Sequence, residues 1–371
     1  MDALRDHPEV LYGFAIALLI VILLTPAVGG MARLLGAVDR PERRRLNANP
    51  VPRLGGLAIF FGIFVPALAF LELGRETRGV LLGAAVATVV GAIDDFRVLK
   101  PGRKLAGQII AASIPPFFGV YIDHFTFPFL GIVDLPSSVG IVLTVVWIVG
   151  VMNMVNFLDG LDGLAAGVCA IAGVTYVVLA LSLGKTDPAI LSAIVAGACV
   201  GFLRHNFFPA RIFMGDSGAL VLGFLLAAVS VQGLLKTAST VVLFLPLLVL
   251  AVPIVDTSFV VARRLKHGQP VSGADQAHLH FRFLRRGFSQ RRAAVTMWAW
   301  CVTLATAALA TRFIPFRKGG EWHVTETVAA GAIGFVALAF SVYVVYVLEI
   351  VKLASPRLRR REEAARARRT A

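Results

Sequence analysis

The chain has 371 residues, of which 57% are apolar and only 16% are charged, against about a quarter charged in an ordinary soluble domain. Mean hydropathy is +0.80. Together with long charge-free apolar runs, these figures exclude a soluble globular enzyme and any disordered or fibrous class, and they define an all-α, polytopic membrane protein. The net charge of +14 would indicate nucleic acid in a soluble protein. In a membrane protein, retention of Lys and Arg in cytoplasmic loops explains it, and no nucleic-acid partner is expected.

A helix needs about 20 residues to cross the hydrocarbon core. Runs that satisfy or approach this occur at 11–32, 55–71, 79–93, 105–122, 136–155, 163–183, 189–203, 217–235, 239–262, 294–311 and 327–348. This gives eleven spans, with ten as the alternative count. The runs at 79–93 and 189–203 are short and must borrow flanking residues. All are free of charge except 239–262, which carries Asp256. The first run follows an acidic segment with no basic n-region, so it reads as a retained helix and not a signal peptide. Segment 124–135, between the fourth and fifth spans, is semi-apolar with Pro128 and Pro136 and reads as a surface or re-entrant piece. Residues 1–353 form one transmembrane domain, and 354–371 form a basic tail near anionic lipid. Cys169, Cys199 and Cys301 all lie in apolar runs without metal-binding spacing and read as small buried hydrophobes.

Lys and Arg divide unevenly between alternate loops. The loops 33–54, 94–104, 156–162, 204–216 and 263–293 and the tail from 349 hold 28 of the 36. By the positive-inside rule these face the cytoplasm, the N-terminus lies outside, the C-terminus lies inside, and the protein sits in the inner (plasma) membrane.

The acids fall on the same face. Asp94 and Asp95 lie in GAIDDF, Asp159 and Asp162 in NFLDGLDG, Asp216 in MGDSG, and His278 and His280 in HLHFR. Each motif alone has a plain structural reading: a solvated helix end, a turn, a surface pair. Asp256 reads as structural, paired with Arg263 or Arg264. The four loop motifs together, interleaved with Lys100, Lys104, Arg204 and Arg211, point to a metal-assisted phosphate site. Hard cations take one or two carboxylates plus substrate phosphates, and basic side chains neutralise the remaining charge.

With PRLGG, PIVDT and GFSQRRA, these motifs resemble the polyprenyl-phosphate N-acetylhexosamine-1-phosphate transferases of glycosyltransferase family 4. The resemblance implies membrane enzymes of ten or eleven helices with a cytoplasmic active site. Such enzymes move a sugar 1-phosphate from a UDP-sugar to a polyprenyl phosphate with Mg²⁺ or Mn²⁺ and release UMP. Leu279 and GFSQRR are similar to the branch that makes undecaprenyl-diphospho-GlcNAc. Phe281 departs toward the peptidoglycan branch, whose phospho-N-acetylmuramoyl-pentapeptide transferases share the chemistry, and Ala219 replaces the usual Ser.

By the family pattern, Asp216 with Asn156 is the expected metal site. Asp94 is expected to orient or deprotonate the lipid phosphate, with Asp95 in support. Asp159 and Asp162 would hold the nucleotide or tune the metal, and His278 and His280 would contact phosphate or sugar. Lys104, Asn206, Arg211, Phe213, Asn156 and Arg282 are the expected substrate-binding residues. The expected partners are a UDP-sugar, a polyprenyl phosphate and the bilayer, and a homodimer is allowed. A secondary transporter would place its acids near the midplane in related halves, and a non-catalytic scaffold would be expected to lose them.

Overall fold

A computed structural model describes residues 5–39, 50–127, 131–235, 250–266, 279–314, 317–318 and 321–347. Its helices are α1 (Glu9–Leu34), α2 (Gly55–Phe70), α3 (Arg75–Arg97), α4 (Pro101–Phe117), α5 (Ser137–Leu158), α6 (Leu164–Ser182), α7 (Thr186–Asn206), α8 (Gly215–Val229), α9 (Ala251–Lys266), α10 (Leu279–Arg285), α11 (Gln290–Phe313) and α12 (Val324–Val347). All but α10 correspond to an expected span, although 239–262 is described only from residue 250. Among the described residues, eight helices are long and apolar enough to cross a membrane, counting α8 with the π-helical turn that follows it. The sequence count of eleven adds α2, α4 and α9, which are shorter.

The two short apolar runs do borrow flanking residues. The run 79–93 extends to Arg75–Arg97, and 189–203 extends to Thr186–Asn206. Backbone polar groups in hydrocarbon must be satisfied internally, so the helices continue until their charged ends reach a polar layer. Segment 124–135 is an antiparallel hairpin, β3 (His124–Phe127) with β4 (Gly131–Asp134), preceded by a two-residue pair of β1 (Val38–Asp39) and β2 (Val51–Pro52). Beyond α11, β5 (Arg317–Lys318) pairs with β6 (Glu321–Trp322). The tail and His278 lie outside the described residues.

Helix α8 is the axis of the bundle. Every one of its residues except Asp216 is buried, and it packs against α2, α3 and α5. Helices α1, α6 and α7 form a second packed group beside it. The three cysteines are buried and unbridged. Between helices there is little hydrophobic driving force in lipid, so close approach of small residues supplies the packing. At the polar end α2 meets α8 backbone to backbone: a Cβ on Gly56 would overlap the Gly218 backbone nitrogen and the Ser217 side chain.

Asp256 is fully buried. Its Oδ1 accepts the Leu279 N–H at 2.8 Å. Asp256 therefore tethers α10 to α9, a structural role that reaches the histidine segment itself.

Gly56→Val should lower the melting temperature in detergent sharply, because overpacking against backbone costs about 1–3 kcal/mol or more. Gly331→Ala, where nothing lies within 4 Å, should be neutral or slightly stabilising by helix propensity.

Candidate active site

The site begins with hydrogen bonds that bring separated motifs together. Phe213 N–H donates to the Pro52 carbonyl at 2.8 Å, and Gly55 and Gly56 N–H donate to the Phe213 and Met214 carbonyls at 3.0 and 2.8 Å. The PRLGG and MGDSG segments are thereby joined side by side. Gly215 adopts φ +71°, a left-handed conformation that glycine takes without steric cost. A Cβ there would lie 2.5 Å from both Asp95 Oδ1 and the Arg53 carbonyl.

Asp95 caps α8. Its Oδ1 accepts from Asp216 N–H at 2.7 Å, and its Oδ2 accepts from Ser217 N–H at 3.0 Å and Ser217 Oγ–H at 2.7 Å. The opening N–H groups of a helix have no internal partner, and a carboxylate there meets both the hydrogen-bonding need and the helix dipole. With both oxygens engaged and only 6% exposed, Asp95 positions Asp216.

Asp94, the preceding residue of α3, faces a different set of groups. One oxygen accepts the Leu99 N–H; the other lies 2.9 Å from Lys104 Nζ. The same Nζ lies 2.8 Å from Asp216 Oδ1 and donates to Asn156 Oδ1 at 3.3 Å. Asn156 Nδ2 in turn donates to Asp216 Oδ1. Four residues, from α3, α4, α5 and α8, thus meet at one ammonium. Beside them Gln108 and Asn153 exchange a reciprocal amide pair at 2.9 and 3.3 Å that fastens α4 to α5.

The turn between α5 and α6 carries Asp159 and Asp162. Asp162 accepts the Ala210 N–H at 2.9 Å. Asn206 is buried, accepting Gly163 N–H at 3.0 Å and donating to the Ile212 carbonyl at 2.9 Å. It was expected to bind substrate; the structure gives it the task of holding the 159–163 turn against the loop 207–214. Burial pushes the Asp159 carboxyl up to about 7, with Asp216 and Asp95 adding to the rise and Arg53 opposing it. Burial also raises Asp162, against its backbone hydrogen bond.

Arg211 is exposed at the rim of this loop, and Phe213 is half-buried and engaged through its backbone. Arg282 lies half-buried on α10. His280 lies on the same helix, but its side chain, like His278, is outside what the structure describes. The residues that motif reading missed are Ser217, Gln108, Asn153 and Arg291. Arg291 donates to the Phe208 carbonyl at 2.9 and 3.1 Å and lies over the Phe207 and Phe208 rings. It anchors the segment after the histidines to the 207–214 loop. A helix-start serine two residues after glycine was the available signal for Ser217.

Among the described residues no group of three or more His, Cys, Asp or Glu side chains forms a metal cage. The donors around Lys104 are instead two carboxylates and one amide oxygen. That set suits a hard divalent ion completed by substrate phosphates and waters, the usual arrangement for magnesium.

A multi-pass helical bundle with carboxylates and a lysine gathered at one end defines a membrane enzyme acting on anionic groups. The model of glycosyl transferase family 4 matches residues 77–234. The chain is 39% identical over 292 residues, covering 78% of it and 81% of the relative, to a protein of Bacillus subtilis (strain 168) named probable undecaprenyl-phosphate N-acetylglucosaminyl 1-phosphate transferase. It is 34% identical to the decaprenyl-phosphate N-acetylglucosaminephosphotransferase of Mycobacterium leprae (strain TN), covering 85% and 87% of the two chains. It is 33% identical to the phospho-N-acetylmuramoyl-pentapeptide-transferase of Desulforudis audaxviator (strain MP104C), covering 81% and 97%. The chain belongs to glycosyl transferase family 4.

The raised pKa of Asp159 has a stability consequence. A carboxyl ordinarily near 3.9 and held near 7 in the folded state keeps its proton more tightly folded than unfolded. The contribution of Asp159 to stability is therefore greatest in acid and is lost as pH rises through the folded-state value near 7. Protein without nucleotide or metal should melt at lower temperature at pH 8 than at pH 6, and Asp159→Asn should flatten that slope and raise the pH 8 melting temperature.

Proposed function

We propose that the protein transfers N-acetylglucosamine 1-phosphate from UDP-GlcNAc to undecaprenyl phosphate, giving undecaprenyl-diphospho-GlcNAc and UMP at the first membrane step of a cell-surface polysaccharide pathway. The observation that carries this reading is the convergence of Asp94, Asp216 and Asn156 on Lys104 where four helices end at one face. The two GlcNAc relatives support the sugar and the lipid class. The acids sit at helix ends and not at mid-bundle, which argues against a transporter. The basic-loop asymmetry supports a cytoplasmic location for that face, with the N-terminus outside, in the plasma membrane.

The reaction joins two anions. A lipid phosphate oxygen attacks the β-phosphorus of the UDP-sugar, a new P–O bond forms, and the bond to UMP breaks. Charge neutralisation is then the main requirement. Asp216 and Asn156 would hold Mg²⁺, or Mn²⁺ in its place; when bound, the ion would neutralise the diphosphate and stabilise departing UMP. Lys104 competes for the same oxygens and would turn toward the phosphates when they arrive. Asp94 orients the lipid phosphate. The second pKa of a phosphate monoester is near 6, so its deprotonation is a small part of the barrier and orientation a larger one. Asp95 keeps Asp216 in place. Asp159 and Asp162 line the nucleotide side, with His278, His280 and Arg282 on phosphate or sugar.

Purified protein with undecaprenyl phosphate and Mg²⁺ should release UMP from UDP-GlcNAc. Release only from UDP-MurNAc-pentapeptide would move the protein to the peptidoglycan branch, and release from neither donor would overturn the reading.

The roles separate in variants assayed by metal titration. Asp216→Asn should weaken metal affinity and cut the rate on the order of a hundredfold or more. Asp94→Asn should lose rate with metal affinity near wild type. Lys104→Met should also lose rate, yet bind Mn²⁺ more tightly than wild type in the absence of nucleotide, because a competing cation is gone.

A further inference from the structure

Apart from the polar cluster, a groove of 260 Å³ lies where α10, α11 and α12 meet, lined among others by Phe283, Phe288, Val295, Ala299, Phe340 and Val344. It is partly open, and its lining is mostly apolar. Nothing in the proposed reaction uses it. Phe283 and Phe288 meet edge to face at 5.2 Å and close its polar end. It runs along α11 for at least the five residues from Val295 to Ala299, about 6 Å of helix rise.

On the α10–α11 side, the polar end of this groove is basic. Between residues 277 and 320 there is no Asp or Glu, whereas Arg282, Arg285, Arg286, Arg291 and Arg292 fall within eleven positions. Arg285, Arg286 and Arg292 are exposed. Arg292 stands three, four and seven residues before Val295, Thr296 and Ala299, so all four share one face of α11, with the arginine at the end nearest α10. A mostly apolar slot between the membrane-length helices α11 and α12, with a basic rim, complements a molecule with an acyl chain and an anionic head. On these grounds we propose that the groove binds an anionic phospholipid of the surrounding bilayer, one chain against the phenylalanines and valines and the phosphate at Arg292.

The site has a consequence for catalysis that rests on the function proposed above. Phe283 belongs to α10, the helix that carries His280 and whose first N–H is held by Asp256. A chain seated against Phe283 and Phe288 gives α10 a second support besides that tether. Anionic lipid should therefore raise the rate without touching the reacting groups.

The test uses the full-length protein in nanodiscs of phosphatidylcholine, with or without phosphatidylglycerol. Two variants are compared with wild type: Val295→Trp, which fills the groove from a half-exposed position, and Arg292→Gln. Native mass spectrometry should show phosphatidylglycerol retained by wild type in preference to phosphatidylcholine, and lost from both variants. UMP release by wild type should rise several-fold with phosphatidylglycerol, while both variants keep the phosphatidylcholine rate and lose the rise. Equal retention in wild type and variants overturns the proposal, as does retention of phosphatidylcholine or of undecaprenyl phosphate in place of phosphatidylglycerol. If no sample releases UMP in any bilayer, the proposed reaction fails, and lipid retention still decides the site.

Discussion

The structure depends on how three oxygen-bearing side chains at the edge of a hydrophobic bundle are neutralised. Asp94, Asp216 and Asn156 come from α3, α8 and α5, and each reaches the Lys104 ammonium of α4. Unpaired carboxylates that close to hydrocarbon would be costly, so the lysine fixes the relative positions of four helices. The same arrangement concentrates the groups needed to bring two phosphates together. Stability and reactivity thus draw on one cluster.

The supporting shell is built mainly from backbone. Asp95 bonds the first amides of α8, the PRLGG segment runs beside the 213–214 backbone, and Asn206 and Asp162 fasten the 159–163 turn to the 207–214 loop. Little of it can relax independently. Helix α8 is buried along its whole length except at Asp216, so the one polar side chain left accessible is presented by the most rigid element. Rigid presentation is what a site that works by orientation and electrostatics requires.

The spans were legible because hydrophobicity and charge placement act locally. Apolar runs marked every long helix, and the basic-residue count placed the acids on one face. Helix ends were less legible: α3 runs to Arg97 because its polar terminus can leave the hydrocarbon, which no apolar count records. The division of work within the Asp94–Asp95 pair was only partly legible. Adjacent residues on a helix point about 100° apart, and only the neighbouring helices decide that Asp95 meets backbone amides while Asp94 meets Lys104. Asn206 fits its motif equally well as a ligand or a brace, and burial of its amide shows the brace. Arg291 and the Gln108–Asn153 pair act across helices far apart in sequence, so no local pattern announces them.

The account stands or falls on whether the Lys104 cluster is where the metal and the diphosphate meet. The direct measurement is an experimental structure with UDP and Mn²⁺, the ion located by its anomalous scattering. The account predicts a manganese peak within coordination distance of an Asp216 oxygen and a UDP phosphate, with Lys104 turned from Asp216 toward the diphosphate. A manganese peak held by other residues, with Lys104 still bridging Asp94 and Asp216 while UDP is bound, would contradict it.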